Sequence, residues 1–322
     1  MSTGRRLGIF YALVFAGAGA SLPYLPVWLK SEGLDGAGIG AILAAPLLAR
    51  VFTGPLLAVW ADGFRERRTP LAILAGAGTL AYAGLGLVDG FWAMAACWFV
   101  GGTAFAAIIP LTDVLTLRLA RRERFTFGRS RAWGSVAFIV ANLALGAALT
   151  RGPPWMVLVW VTIAAALTAT LARLLLPAEP IHEDGASGGR LQGLGRLFRN
   201  GPFLLAITSV GLIQAAHGFH YGFSTLVWRG QGISPAVAGV LWALGVLAEI
   251  AFLSLAEPWR KRLGPERLLI LCGAAAVLRW TVAGMAPPLA VLAPLHLLHG
   301  LTFAGVFIAG LSLVERTSPA ES

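Results

Sequence analysis

Apolar positions along this chain fall into long runs, and polar positions gather in the short gaps between them. A bilayer core about 30 Å thick is crossed by about 20 apolar residues at about 1.5 Å of helix rise each. Ten segments reach that length, at roughly 6–29, 37–61, 70–88, 91–117, 130–149, 154–176, 202–228, 235–256, 266–285 and 288–314. The pattern predicts an all-α polytopic membrane protein. Arg5 and Arg6 ahead of the first run have the flavour of a secretory signal, but the run is too long for a signal core and no small-residue cleavage site follows it. It is a spanning helix.

The longest polar stretch, Pro177–Gly201, holds Glu179, His182, Glu183, Asp184 and a Gly/Ser-rich patch. Six spans precede it and four follow, which predicts a six-helix bundle over 1–177, a cytoplasmic linker over 178–201 and a four-helix bundle over 202–322. The two parts repeat one another weakly. Gly40 precedes Leu48-Ala49-Arg50 at the spacing by which Gly239 precedes Leu247-Ala248-Glu249, and a charged loop then Ile73-Leu74-Ala75-Gly76 or Ile270-Leu271-Cys272-Gly273 follows in the same order. Parallel six-helix repeats are one way in which large transporters are built.

Composition agrees with the membrane assignment: 57% of residues are apolar and 12% charged, against about 25% charged in soluble domains. The net charge of +10 does not point to nucleic acid, because the basic residues form short clusters between apolar runs and not one polar face. They orient the chain instead. With the N-terminus in the cytoplasm, outer loops hold Lys30, Arg151 and Arg229, Arg50 and Arg279 lie within spans, and inner segments and helix ends hold the other 20 of 25. The expected location is the inner (cytoplasmic) membrane, multi-pass, with the linker also cytoplasmic. Trp28, Trp60, Trp92, Trp133, Trp155, Trp228 and Trp259 lie near span ends, where interfacial anchors are expected. Gly17-Ala18-Gly19-Ala20-Ser21 offers close helix contact, and Pro23, Pro26, Pro46, Pro55 and Pro110 interrupt spans.

Cys97 and Cys272 sit inside apolar runs without metal-ligand spacing, and no HExxH, GxSxG or Walker-type loop occurs. No metal, cofactor or enzymatic chemistry is expected, and nothing calls for an oligomer, so a monomer is. A membrane sensor that binds a ligand without moving it stays open as a rival.

Ala61-Asp62-Gly63-Phe64-Arg65-Glu66-Arg67-Arg68 resembles the major facilitator loop between helices 2 and 3, with Ala58 where that pattern usually has glycine. Ile109-Pro110-Leu111-Thr112-Asp113, Gly128-Arg129-Ser130-Arg131-Ala132-Trp133-Gly134-Ser135, Gln214-Ala215-Ala216-His217, Tyr221-Gly222-Phe223-Ser224, Leu241–Glu249, Arg279-Trp280 and Leu298-His299-Gly300-Leu301-Thr302-Phe303 together resemble the 3-phenylpropionic acid transporter group. That group is similar to the nucleoside–proton symporters and, more distantly, to lactose permease. The resemblance implies a major facilitator fold and proton-coupled uptake of a small organic solute by alternating access. An aromatic carboxylate is the first expectation, a nucleoside or sugar the alternative. It implies twelve helices, so the last two are expected to be lacking here, which leaves an inactive fragment as a further possibility.

Ionisable groups at membrane depth are costly and persist where they face a cavity or a partner. Helix rise places Arg50, His217, His220, Glu249, Arg279, His296 and His299 in one band, about 9–20 Å from the outer ends of their spans. His217 and His220 share a face, as do His296 and His299. Glu249, Arg279, His296 and His299 resemble the proton-coupling group of lactose permease, with His299 where that family has a carboxylate. Glu249 is therefore expected to carry the coupled proton, or else to form a fixed ion pair with Arg279 that only neutralises two buried charges. Arg50, Arg279 or a histidine could bind an anionic solute, Gln214 could hydrogen-bond it, and Tyr24, Trp28, Tyr221, Trp242 and Trp280 could stack on it or merely pack. Asp113, about 33 Å along its span, is expected to pair with Arg129 or Arg131 at the cytoplasmic side, and Asp62 with Arg65, Arg67 and Arg68 to form a gating latch between helices.

Overall fold

A computed structural model describes residues 1–181 and 199–317. Its elements are α1 (Thr3–Ser31), α2 (Gly36–Asp62), α3 (Arg68–Leu85), α4 (Phe91–Glu123), α5 (Phe127–Leu149), α6 (Met156–Leu175), α7 (Gly201–Ala215), α8 (His217–Gly230), α9 (Pro235–Leu255), α10 (Glu257–Leu263), α11 (Pro265–Gly284), α12 (Leu289–Leu297), a π-helical segment (Gly300–Gly305) and α13 (Val306–Thr317). The described residues form no strand, only one bridge between Glu66 and Pro180. Each predicted span has its helix or broken helix. Nine stretches of the described chain are long and apolar enough to cross a bilayer, among them Gly201–Gly230 and Leu289–Thr317, each counted as one. α3 is not among the nine: it has 18 residues and opens on charged Arg68.

The chain forms two compact units. One comprises Met1–His182 with Ser234–Gly239, the other Glu183–Ile233 with Val240–Ser322. Most of the expected linker, 182–198, lies outside the described residues.

In the first unit α1 packs on α5 and α6, α3 on α4 and α6, and α2 on α4. Lipid tails are as apolar as leucine, so close packing and not water exclusion holds such helices together. Gly19 shows how tight the fit is: a Cβ there would stand 2.5 Å from the Phe138 carbonyl oxygen. Hydrogen bonds then tie α1 down along its length. Ser130 donates to the Gly4 carbonyl (2.9 Å), Trp160 to the Ala16 carbonyl (3.1 Å), and Tyr24 to Asn142 (3.0 Å). Pro23 and Pro26 stay within α1, and Pro46 and Pro55 within α2, without ending either helix. Leu7, Phe10, Leu71, Ile108 and Leu115 fill the core between α1, α3 and α4.

In the second unit α7 packs on α11 and α13. Asn200 caps α7, accepting from the Phe203 amide (3.2 Å), while its side-chain amide donates to the Thr317 carbonyl (2.8 Å). One Asn thus joins the first turn of α7 to the last turn of α13. Trp60, Trp92, Trp133, Trp155 and Trp259 are exposed as anchors should be. Trp28 and Trp228 correct the expectation for them, being 3% and 5% exposed. Each lies on the inward face of its helix, and position along a span says nothing about that phase.

Candidate functional site

Six charged or imidazole side chains of the second unit, His217, His220, Glu249, Arg279, His296 and His299, come together, and the local backbone explains how. The long predicted span 202–228 breaks at Ala216, so that His217 opens α8 and His220 follows one turn later on the same face. The last span breaks after Leu297 and continues through the π turn at Gly300–Gly305. A π turn re-phases the side chains that follow it and recurs at functional sites. Here it sets His299 and Thr302 together beside Arg279 of α11. Glycines make the room: a Cβ on Gly245 would stand 3.2 Å from the His299 ring, and one on Gly300 would stand 2.6 Å from the Ala248 carbonyl.

Arg279 is 1% exposed. Its Nη1 lies 2.7 Å from His299 Nδ1, 2.8 Å from Thr302 Oγ1 and 3.5 Å from His217 Nε2. On its far side His299 presents Nε2 to Glu249 Oε1 at 2.8 Å. Arginine only donates, so His299 Nδ1 accepts, and the ring's proton resides on Nε2 and is donated to Glu249. His299 is therefore an insulated bridge between an anion and a cation. A second proton, on Nδ1, would face Arg279 donor to donor.

The other three histidines have the opposite tautomer, for an equally local reason. His217 Nδ1 donates to the Ile213 carbonyl (3.1 Å) and His296 Nδ1 to the Leu292 carbonyl (2.8 Å). His220 Nδ1 donates to Ser224 Oγ (2.6 Å), whose own proton goes to the His220 carbonyl (2.7 Å). Carbonyls only accept, so all three expose Nε2 as an acceptor. Thr302 lies 3.3 Å from that of His217, whereas His296 Nε2 and Arg279 Nη2 are buried with no hydrogen-bond partner among the described residues. A cavity of about 20 Å³ lies against His220, Arg279, Trp280 and His296.

Aromatic rings wall this cluster. Trp242 stacks on His220 at 4.3 Å and donates to Thr225 (3.2 Å), Tyr221 stacks on Trp242 at 5.9 Å, and Arg279 lies 4.5 Å over the Trp280 ring. Gln214 is half-buried and joins none of these bonds. Tyr24 belongs to the first unit, where its ring is fully buried. Arg50 also lies there, exposed on α2 beside a cavity of about 370 Å³. The band of seven ionisable groups is thus divided, with six in one unit and Arg50 in the other.

The candidates expected near the span ends and in the loop after α2 form a second constellation in the first unit. Asp113 is paired with Arg131 (3.6 Å), whose guanidinium lies 4.1 Å over Phe15, while Arg129 is exposed. Tyr11 donates to Asp113 at 2.5 Å, a partner on α1 that charge pairing alone does not suggest. Arg67 lies 3.8 Å from Asp62 and Arg68 2.7 Å from Glu66; the Arg65 side chain is exposed. The loop's backbone is held by the segment that leaves α6. Arg67 N–H donates to the Glu179 carbonyl (2.9 Å), Ile181 N–H to the Arg65 carbonyl (3.1 Å), and Arg122 pairs with the Glu179 carboxylate (2.7 Å).

A sequence profile of the MFS_1 like family matches residues 5–322. The chain belongs to the MFS_1 like family. Among curated relatives, the probable 3-phenylpropionic acid transporter of Escherichia coli (strain K12) is 29% identical, the match covering 100% of this chain and 84% of that protein. The maltose permease of Geobacillus stearothermophilus is 28% identical over 97% of this chain and 78% of that protein. A solved variant of the nucleoside transporter NupG superposes with a TM-score of 0.87 at 21% identity, over 99% of this chain and 84% of that one. This MFS_1-like chain is thus a membrane transporter of the major facilitator type with an all-α fold. Residues that sequence inspection left without a role are Thr302, Ser224 and Thr225. Thr302 and Ser224 carried a signal, standing three residues after His299 and four after His220 on the same helical faces; Thr225 did not.

Proposed function

We propose that this chain moves a small organic solute across the inner membrane together with a proton, by alternating access of its two units, with Glu249 as the proton carrier. The observation that supports this is the Glu249–His299–Arg279 relay, in which a half-buried carboxylate accepts from the ring of a buried histidine whose other nitrogen accepts from a buried arginine. Proton uptake on Glu249 cancels its charge and leaves Arg279 short of a counter-anion, which favours a solute or a conformation that supplies one. The domain reading of bundles over 1–177 and 202–322, joined by the linker 178–201, belongs to this proposal, as do the cytoplasmic N-terminus and a latch role for Asp62, Arg65, Arg67, Arg68, Asp113, Arg129 and Arg131.

The first substrate class is an aromatic monocarboxylate, in keeping with the name of the E. coli relative. A neutral polyhydroxylated solute is the second reading, favoured by the three imidazole acceptors that face the cluster. Drive separates the two. A monoanion with one proton carries no net charge, so its accumulation follows the pH gradient, about tenfold per unit. A neutral solute with one proton also responds to voltage, by about 2.3 kcal/mol per 100 mV, or roughly fiftyfold. In proteoliposomes Glu249→Gln should abolish accumulation under either force and keep solute exchange. Undiminished accumulation by that variant would remove Glu249 from the mechanism, and ligand binding without any exchange by the wild type would favour a sensor.

A further inference from the structure

The relay above uses one of the two arginines inside the spans; the other, Arg50, has its own chamber. We propose that the cavity between α2 and α4 in the first unit is a monocarboxylate site, with Arg50 binding the carboxylate and apolar side chains holding the body of the acid. This rests on the transport reading and assigns it an anion site.

Arg50 lies midway along α2, a span whose other exposed side chains include Leu47, Leu48, Val51 and Phe52. No described residue forms a hydrogen bond or ion pair with it. A permanent cation at that depth without a protein partner calls for an anion or for water. The cavity beside it holds about 370 Å³, within the range of small-molecule pockets, and is lined by Arg50, Thr53, Thr103, Pro110, Leu111 and Val114 among others. No acidic residue lines it, so nothing in the wall competes for the guanidinium.

Thr103 is the second observation. Helical threonines in this chain mostly return their hydroxyl to the carbonyl four residues back, as Thr79, Thr112, Thr116, Thr168 and Thr170 do. The Thr103 hydroxyl makes no such bond and is buried without any partner. The wall therefore combines one fixed positive charge with one uncommitted donor in apolar surroundings. A guanidinium fork and a hydroxyl match a carboxylate, and Pro110, Leu111 and Val114 match an alkyl or phenyl body. A sugar would leave most of its hydroxyls unpaired here.

The test is equilibrium binding to the purified full chain in detergent, with 3-phenylpropionate as probe and uncharged 3-phenylpropionamide as its control. Arg50→Gln should weaken acid binding at least tenfold and leave amide binding within twofold. Arg50→Lys should restore part of the loss, and Thr103→Val should weaken the acid severalfold. Acid binding by Arg50→Gln within twofold of the wild type overturns the proposal. So does equal loss of acid and amide in a variant with an unchanged elution profile, or no saturable acid binding by the wild type. Binding needs no gradient, so the two readings fail separately. Normal accumulation by Glu249→Gln with Arg50-dependent binding removes only the coupling role; lost accumulation with Arg50-independent binding removes only this site.

Discussion

His299 joins Glu249 to Arg279, and its removal offers a quantitative check on the relay. His299→Leu deletes a donor 2.8 Å from one charge and an acceptor 2.7 Å from the other. Hydrogen bonds to charged groups contribute about 1.5–3 kcal/mol each, and breaking a buried charged pair by removing one partner costs about 3–5 kcal/mol. Interhelical hydrogen bonds between neutral groups in membranes average only about 0.6 kcal/mol. A double-mutant cycle with Glu249→Leu and His299→Leu, read from unfolding in a detergent titration, isolates the Glu249–His299 term, because loss of the Arg279 contact enters both His299 legs and cancels. The expected coupling is about 1.5–3 kcal/mol. A value at or below about 0.6 kcal/mol would mean an ordinary interhelical bond and would refute the assignment of His299 as a bridge between two charges.

Three further outcomes follow from the packing. Gly245→Val should displace the His299 ring, because even a Cβ there stands 3.2 Å from it, and should slow proton-driven uptake at least tenfold while the chain still inserts and purifies. Gly19→Val should destabilise the first unit by about 1–3 kcal/mol through overpacking against Phe138, measured by the same unfolding titration, whereas Gly36→Ala, with open space around it, should not. Asp113→Asn should cost under about 1 kcal/mol, since both members of its pair with Arg131 are about 30% exposed (31% and 29%), and a loss several times larger would show that Tyr11 and Asp113 act as one unit.

Much of the architecture is legible in the sequence because lipid imposes a length: apolar runs near 20 residues leave little choice but spanning helices. Intramembrane charge is legible for a similar reason, and it singles out Glu249, Arg279 and the four histidines of α8 and the last span. The order of contacts among them is not legible. A direct Glu249–Arg279 pair and a pair bridged by His299 have the same composition, and the choice depends on helix phase and on a π turn that no single residue announces. Phase also hides Trp28 and Trp228, placed at span ends yet turned inward. The contact of the 65–67 loop with residues 179–181 is made by backbone groups, so side-chain chemistry gives no hint of it. Thr103 is legible only by exception, as a threonine that does not bond back to its own helix.

The central claim is that the coupled proton resides on Glu249, and proton counting tests it most directly. Solute is added to the purified protein in weakly buffered detergent solution, and proton uptake per bound solute is followed with a pH-sensitive dye. The wild type should exchange close to one proton per solute, and Glu249→Gln, while still binding solute, should exchange none. An unchanged proton count in Glu249→Gln would contradict the account, whatever its effect on uptake.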